Sequence, residues 1–330
     1  MNKIVLLSLS IFVGVSFSAC AMEKASEKMT LEQQEVIIKA LMQAVEKNNI
    51  EKVKMLVSQV ADVNLQDRFG RTALMIAALY DHGDIVRFLL KKSANVNLQN
   101  SYGRTALMIA ASLDHGDIVR KLLEKSANAD LQDKDGRTAL MLAAQKGYID
   151  IVIVLLKKDA KVDLQNSDGN TALMVVAILG NKDILRLLLD KDANVDQQNS
   201  DGYTALMFAV WNGYADIVKL LLAVHADFDL QNSDGDTALI LAAKQGHVAI
   251  VQLLIAREAY INATTNEGVT ALMIVAEKGY TNIVELLIDK DANVNLKDNR
   301  GKTALDYATD EGHDDIASLL KSDESSDKNE

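Results

Sequence analysis

Four of the five histidines, His82, His115, His247 and His313, are separated by whole multiples of 33 residues. Imidazoles held in register could bind a metal or serve as general bases. One ion needs its ligands within about 2.1 Å, yet neighbouring helices of a stack lie roughly 8–10 Å apart. The four are therefore read as helix-start residues making local hydrogen bonds, and His225 stands alone in another loop. Asp133-x-Asp135-Gly136 has the opening of a calcium loop, but Leu131 and Leu142 stand where further oxygen ligands would be needed. Asn262-Ala263-Thr264 fits a glycosylation acceptor. The one cysteine is Cys20, and no Gly-rich phosphate loop follows a strand pattern. These residue types assemble no acid, base, nucleophile or metal set, so no catalytic residue, cofactor or metal is expected.

The elements that carry these residues are set by the spacing itself. Thr72, Thr105, Thr138, Thr171, Thr204, Thr237, Thr270 and Thr303 recur every 33 residues, each within Gly-x-Thr-Ala-Leu. A fixed period of this length marks a solenoid, which lengthens by stacking units rather than by adding cores. In the unit that starts at Asp133, the segment to Gly136 reads as a turn with glycine at positive φ. Thr138 reads as an N-cap worth about 1 kcal/mol. Ala139, Leu140, Ala143 and Ala144 predict one apolar stripe on a two-turn helix, ended by Gly147 as a left-handed cap. Ile151, Val152, Leu155 and Leu156 predict the stripe of a second helix, with Lys157 and Lys158 favouring its C-terminal dipole. Val162 begins an extended run into the next turn. Small alanines in the first helix and large leucines in the second make the stack curve, with the short helices on the concave side.

The eight units start near residues 67, 100, 133, 166, 199, 232, 265 and 298. A degenerate unit precedes them over 31–66. Thr30-Leu31-Glu32-Gln33 has capping-box spacing, and a helix with Val36, Ile37, Ala40, Leu41, Ala44 and Val45 on one face follows. A second helix is expected over about 50–59. Lys39-Ala40-Leu41-Met42 stands where the next unit has Thr72-Ala73-Leu74-Met75, so the apolar frame survives without the threonine cap. Ser322 to Glu330 reads as a disordered acidic tail.

Asp-x-x-Gly-x-Thr, the Leu plus Ala-Ala helix, the mid-unit glycine, Ile-Val…Leu-Leu and Ala-Asn/Asp-Val-Asn/Asp together resemble the ankyrin repeat, over about residues 31–321. The resemblance implies an all-α solenoid of helix-turn-helix units with short β-turn fingers. It also implies a non-enzymatic scaffold that binds another protein by its turn tips and the exposed ends of its first helices. Thr-Pro-Leu-His of the family reads Thr-Ala-Leu-Met here, which removes the histidine bonds between repeats and puts an adaptable apolar side chain in their place. The glycine usual after the second helix is replaced by Ser93, Ser126, Asp159, Asp192, His225, Glu258 and Asp291. In the first two of the eight units the mid-unit glycine moves to Gly83 and Gly116, leaving Asp81 and Asp114 at the turn. These departures predict a looser array than an idealised one.

Residues 1–20 do not follow the period. Lys3, the mostly apolar run Ile4 to Phe17, and Ser18-Ala19 before Cys20 form a secretory signal too short to span a membrane as a helix. Phe17-Ser18-Ala19-Cys20 resembles a bacterial lipobox, with Phe17 where leucine is usual, and predicts lipidation at Cys20. Ala19-Cys20-Ala21 alternatively fits cleavage after Ala21 and release of a soluble protein. The expected location is the bacterial envelope, as a membrane-anchored lipoprotein or in the periplasm, with residues 21–30 as a tether; secretion, as an effector binding a host protein, is the alternative. A structural spacer without a specific partner is a third reading.

The net charge of −11 argues against a broad nucleic-acid surface. The expected partner is a protein, met by a monomer, with membrane contact only through Cys20. The chain is poor in aromatics, so those at variable slots carry weight. Phe69, Tyr80, Tyr102, Leu113, Ile178, Leu179, Tyr203 and Trp211 are the candidate partner-binding residues, with Phe69, Tyr102 and Tyr203 taken as turn tips. The last three units offer mostly charges at those slots. Arg71, Arg104 and Arg137 form a basic series that either relieves the acidic total or meets an acidic segment. Gln66, Gln99, Gln132, Gln165, Gln198 and Gln231 predict a structural glutamine ladder.

Overall fold

The computed structural model describes residues 31–326. The signal, the tether, Cys20 and Thr30 lie outside the described residues. The recurring threonine sets the local structure. Each has extended backbone angles, and its hydroxyl accepts the N–H three residues on, as Thr138 Oγ1 does from Met141 at 3.2 Å. The threonines from Thr72 to Thr270 are 3% exposed or less, so the cap is shielded from competing water.

The caps open the inner helices α3 (Ala73–Leu79), α5 (Ala106–Ala111), α7 (Ala139–Lys146), α9 (Ala172–Leu179), α11 (Ala205–Trp211), α13 (Ala238–Gln245), α15 (Ala271–Glu277) and α17 (Ala304–Asp310). They alternate with the outer helices α4 (Gly83–Lys91), α6 (Gly116–Glu124), α8 (Ile149–Lys157), α10 (Lys182–Leu189), α12 (Ala215–Ala223), α14 (Val248–Ile255), α16 (Thr281–Ile288) and α18 (Asp314–Ser326). The first pair is α1 (Leu31–Glu46) and α2 (Ile50–Ser58). Without a threonine at its centre, α1 runs unbroken through Lys39 to Met42, and Leu41 and Met42 still enter the core. No strand occurs among the described residues. The fingers are β-turns, with isolated bridges only at Gln66–Thr72 and Thr264–Thr270.

Each inner helix packs on the inner helices before and after it and on its own outer helix. This corrects the single stripe expected for α7: all of Ala139 to Ala144 is buried, because three neighbours surround the helix. In six of the eight units a methionine follows the Ala-Leu pair and belongs to the same core, with Met75, Met108, Met141, Met174, Met207 and Met273 all buried. Successive inner helices pack more closely than successive outer ones. The stack therefore curves with the inner helices on the concave side, as the alanine content predicts. The stripes on the outer helices are as expected, with Ile151, Val152, Leu155 and Leu156 buried on α8.

Two kinds of left-handed residue end the helices. Gly147 has φ 78° after α7, and Asp81 (φ 58°) and Asp114 (φ 63°) take that conformation where the glycine has moved on. After the outer helices the position is never glycine: Ser93, Ser126, Asp159, Asp192, His225, Glu258 and Asp291 all have φ between 54° and 65°. At the turn tips glycine is obligatory for a second reason. A Cβ on Gly136 would lie 2.7 Å from the Ser167 nitrogen, because successive fingers are stacked backbone to backbone. Ser167 N donates to Asp135 O at 2.9 Å, and the equivalent bond recurs from Ser101–Phe69 to Asn299–Glu267. α18 continues to Ser326, past Ser322 where a disordered tail is expected; no glycine or proline interrupts it.

Candidate partner surface

The side chains with chemical potential are largely consumed by the stack. His82, His115, His247 and His313 each precede an outer helix and bond the inner helix of the unit before. Their ring nitrogens contact the carbonyls of Glu46 (3.3 Å), Ala78 (2.8 Å), Trp211 (3.4 Å) and Glu277 (3.1 Å). The bonds are thus not local. They engage carbonyls near the ends of the preceding inner helices, and they restore inter-unit histidine bonds from a slot other than the family's. Two of the rings lie close over the mid-unit glycine of the unit before, where a Cβ on Gly213 would meet the His247 ring at 2.8 Å and one on Gly279 the His313 ring at 2.7 Å, whereas Asn48 and Asp81 hold that slot before His82 and His115.

Asp133 is also occupied. Its Oδ1 accepts from the backbone of Asp135 and Arg137, and its Oδ2 pairs with Arg137 at 2.9 Å and Arg104 at 3.5 Å. Burial works against the charged carboxyl, but the Arg137 hydrogen bonds and charge outweigh it and hold Asp133 below the usual carboxylate range. Among the described residues no group of three or more His, Cys, Asp or Glu could hold a metal ion. Arg71 likewise pairs with Asp67 at 2.8 Å. Arg71 and Arg137 are neutralised within their own turns and Arg104 by Asp133 of the next, which favours the charge-relieving reading of the series.

Two polar ladders fix the spacing of the units. Gln165 Nε2 donates to Gly169 O at 2.6 Å in its own finger and to Gln198 O at 3.0 Å in the next. The same pair of bonds runs from Gln66 to Gln231, where the last acceptor is Thr264 O. The glutamine ladder is thus as expected. The second ladder has a signal, Ala-Asn/Asp-Val-Asn/Asp, whose role sequence reasoning missed. The last Asx of the motif accepts the backbone N–H 31 residues on, as Asp163 does from Asn194 at 2.9 Å. Asn262 of the glycosylation sequon is a rung of it, accepting from Asn293.

What the ladders leave free is the concave face. The eight candidate residues do not form one patch. Phe69, Tyr80, Tyr102 and Leu113 lie in the two units of 67–132, and Ile178, Leu179, Tyr203 and Trp211 in those of 166–231, with exposed Gln145 and Lys146 between them. Within the first group the tips Phe69 and Tyr102 sit at the opposite end of the inner helices from Tyr80 and Leu113. Phe69 is covered by the guanidiniums of Arg68 and Arg71, at 4.7 and 5.3 Å from its ring centre, and Tyr80 stacks on His82.

The second group is more compact. Leu179 is 50% and Trp211 43% exposed at the ends of α9 and α11. Ile178 and Tyr203 are half-buried rather than exposed. Tyr203 holds the slot of Arg71, one residue before the threonine, and is not a tip. It stacks on Phe208 with centroids 5.1 Å apart and planes at 22°. Burial, and the carboxylates of Asp236, Asp234 and Asp201 around it, push the Tyr203 phenol above its ordinary value. Phe208 and Val175 are half-buried and extend the apolar floor. Sequence reasoning missed both, because their slot is filled by fully buried residues such as Ile76 and Leu241 elsewhere. Beyond the patch, Asp236 is buried and pairs with Lys244 at 2.6 Å.

A stack whose polar groups are spent on its own interfaces, and whose variable side chains gather on one face, defines a helical-repeat scaffold that acts through surface recognition. The family model for ankyrin repeats, described in three copies, matches residues 41–133, 95–166, 116–199, 140–232, 176–265, 218–298 and 239–330. The chain belongs to the ankyrin-repeat family and is a protein–protein interaction scaffold. No curated protein matches it.

Proposed function

We propose that the chain is an exported, non-catalytic scaffold that holds a partner protein on its concave face, at Ile178, Leu179, Tyr203, Phe208 and Trp211. The observation that carries this is the exposure of Leu179 and Trp211 over a half-buried aromatic floor in the middle of the array. Large apolar and aromatic side chains that water touches in the free protein supply the interaction energy of such an interface. A stacked, hydrogen-bonded array presents them with little ordering to be done on binding. Trp211→Ala, in a chain shown to be folded, is expected to abolish retention of a partner captured from native cells. Undiminished retention removes the site.

Export rests on Lys3, the apolar run to Phe17 and Ser18-Ala19-Cys20. An acyl chain on Cys20 would hold the array at a membrane surface, with residues 21–30 as tether. Fatty-acid label on the protein that is lost in Cys20→Ala supports the anchored form. A labelled Cys20→Ala protein, or no label at all, leaves cleavage after Ala21.

A further inference from the structure

The concave apolar patch lies at a boundary in charge. Residues 67–165 hold 15 Lys and Arg against 12 Asp and Glu, whereas residues 166–330 hold 13 against 27. At the tips, the slot of Phe69 and Tyr102 passes to Arg300 in the last finger, where Asp298 engages it, and between them to Asp135 and then to exposed Asp168, Asp201, Asp234 and Glu267. Backbone bonds between successive fingers fix the last four in a row. At the C-terminal ends of the inner helices of the same half, Glu277 and the capping residue Glu311 are exposed. Among the described residues these six carboxylates make no ion pair, while Arg71, Arg104 and Arg137 of the first half are paired with Asp67 and Asp133. Some cations of the acidic half are themselves engaged, Lys244 by Asp236 and Lys302 by Asp310.

We propose that the occupant of the patch is an extended protein segment with an apolar anchor and a Lys/Arg-rich arm, the anchor seated on Leu179, Phe208 and Trp211 and the arm running toward Glu311. This rests on the concave-face reading and adds the chemistry and polarity of the partner. The anchor supplies contact area where Leu179 and Trp211 are open. The arm relieves repulsion among carboxylates that have no cation of their own. Three steps from the unit of Trp211 to that of Glu311, at about 10 Å each, require an arm of roughly ten extended residues.

The test uses the full chain and synthetic peptides, read by the emission of Trp211, the single tryptophan. One peptide carries Leu and Phe anchors followed by ten alternating Lys and Ser. A second has Glu for Lys, and a third has Ser for the anchors. The first is expected to bind with a blue shift of Trp211, and to weaken about tenfold or more between about 50 mM and 0.5 M salt. In the variant Asp201→Asn/Asp234→Asn/Glu267→Gln/Glu277→Gln it is expected to lose about tenfold in affinity with the blue shift retained. These changes touch exposed side chains, and an unaltered urea midpoint confirms the fold. Binding of the acidic peptide, equal binding of the anchorless one, indifference to the four neutralisations, or no binding of the first peptide overturns the proposal. None of these touches the concave-face reading, which falls only with undiminished native capture by Trp211→Ala.

Discussion

Replacing His225 and Glu258 together by glycine should stabilise the array, although glycine is the most flexible residue in the unfolded chain. Both end an outer helix in the left-handed conformation, at φ 63° and 65°. Both are exposed, and neither side chain makes a hydrogen bond or ion pair among the described residues. An L-residue there costs about 1–2 kcal/mol relative to its right-handed form. Glycine removes that strain but adds about 0.4–1 kcal/mol of unfolded-state entropy to be lost. The net gain is about 0.5–1 kcal/mol per site. The sites stand one unit apart and share no side-chain partner, so their effects add, to about 1–2 kcal/mol. For a denaturant slope of about 3 kcal/mol/M the urea midpoint rises by about 0.3–0.7 M. Urea titration by circular dichroism measures the shift. His225→Ala/Glu258→Ala is the control, since it deletes the same functional groups but keeps Cβ. Equal stabilisation by the alanine pair, or destabilisation by the glycine pair, refutes the argument from backbone strain.

Gln165→Leu deprives the carbonyls of Gly169 and Gln198 of their donor and should cost about 1–3 kcal/mol, read as a lower urea midpoint. Gly213→Ala should cost at least as much, since it strains a φ of 75° and drives Cβ into the His247 ring; the broken contact to the Trp211 carbonyl should also shift tryptophan emission. Asp133 and Asp298 give the pH dependence. For Asp298, burial is outweighed by hydrogen bonds from Lys302, Tyr307 and Arg300, so its folded carboxyl is held low. Groups whose folded pKa is depressed stabilise above the unfolded carboxylate range and lose that contribution as pH falls through the folded value. Thermal stability should therefore drop below about pH 4, and Asp298→Asn should be less stable at neutral pH with a shallower acid limb.

The fold is legible because eight copies state it. Thr138, Leu140 and Gly147 each have one role, and repetition separates that role from chance. The inner helices read as one-sided because a periodic stripe cannot show that a helix has neighbours on three sides. The candidate surface is less legible for the opposite reason. Its residues occur once each, and a single residue carries no register. Tyr203 reads as a tip until its slot is aligned with Arg71, and only its stacking on Phe208 reveals a floor. Phe208 and Val175 were hidden by the company of buried residues at their slot. The spacing puts the histidines at helix starts, where the structure has them, but a ring that reaches the previous unit is a matter of rotamer and stacking distance.

The glutamine ladder makes the array indifferent to its own length. Gln132 bonds Gly136 in its finger and Gln165 in the next. If residues 133–165 were excised, Gln132 would stand four residues before Gly169, with Gln198 one unit further on, and each bond would find an equivalent acceptor. A unit can thus be removed or duplicated anywhere between Gln66 and Thr264 without an unmatched donor at the splice. Such an edit alters the reach of the groove while the remaining contacts close up. The anchor and the acidic row could then be moved apart or together in steps of one unit, with the scaffold acting as a ruler whose divisions are set by Nε2.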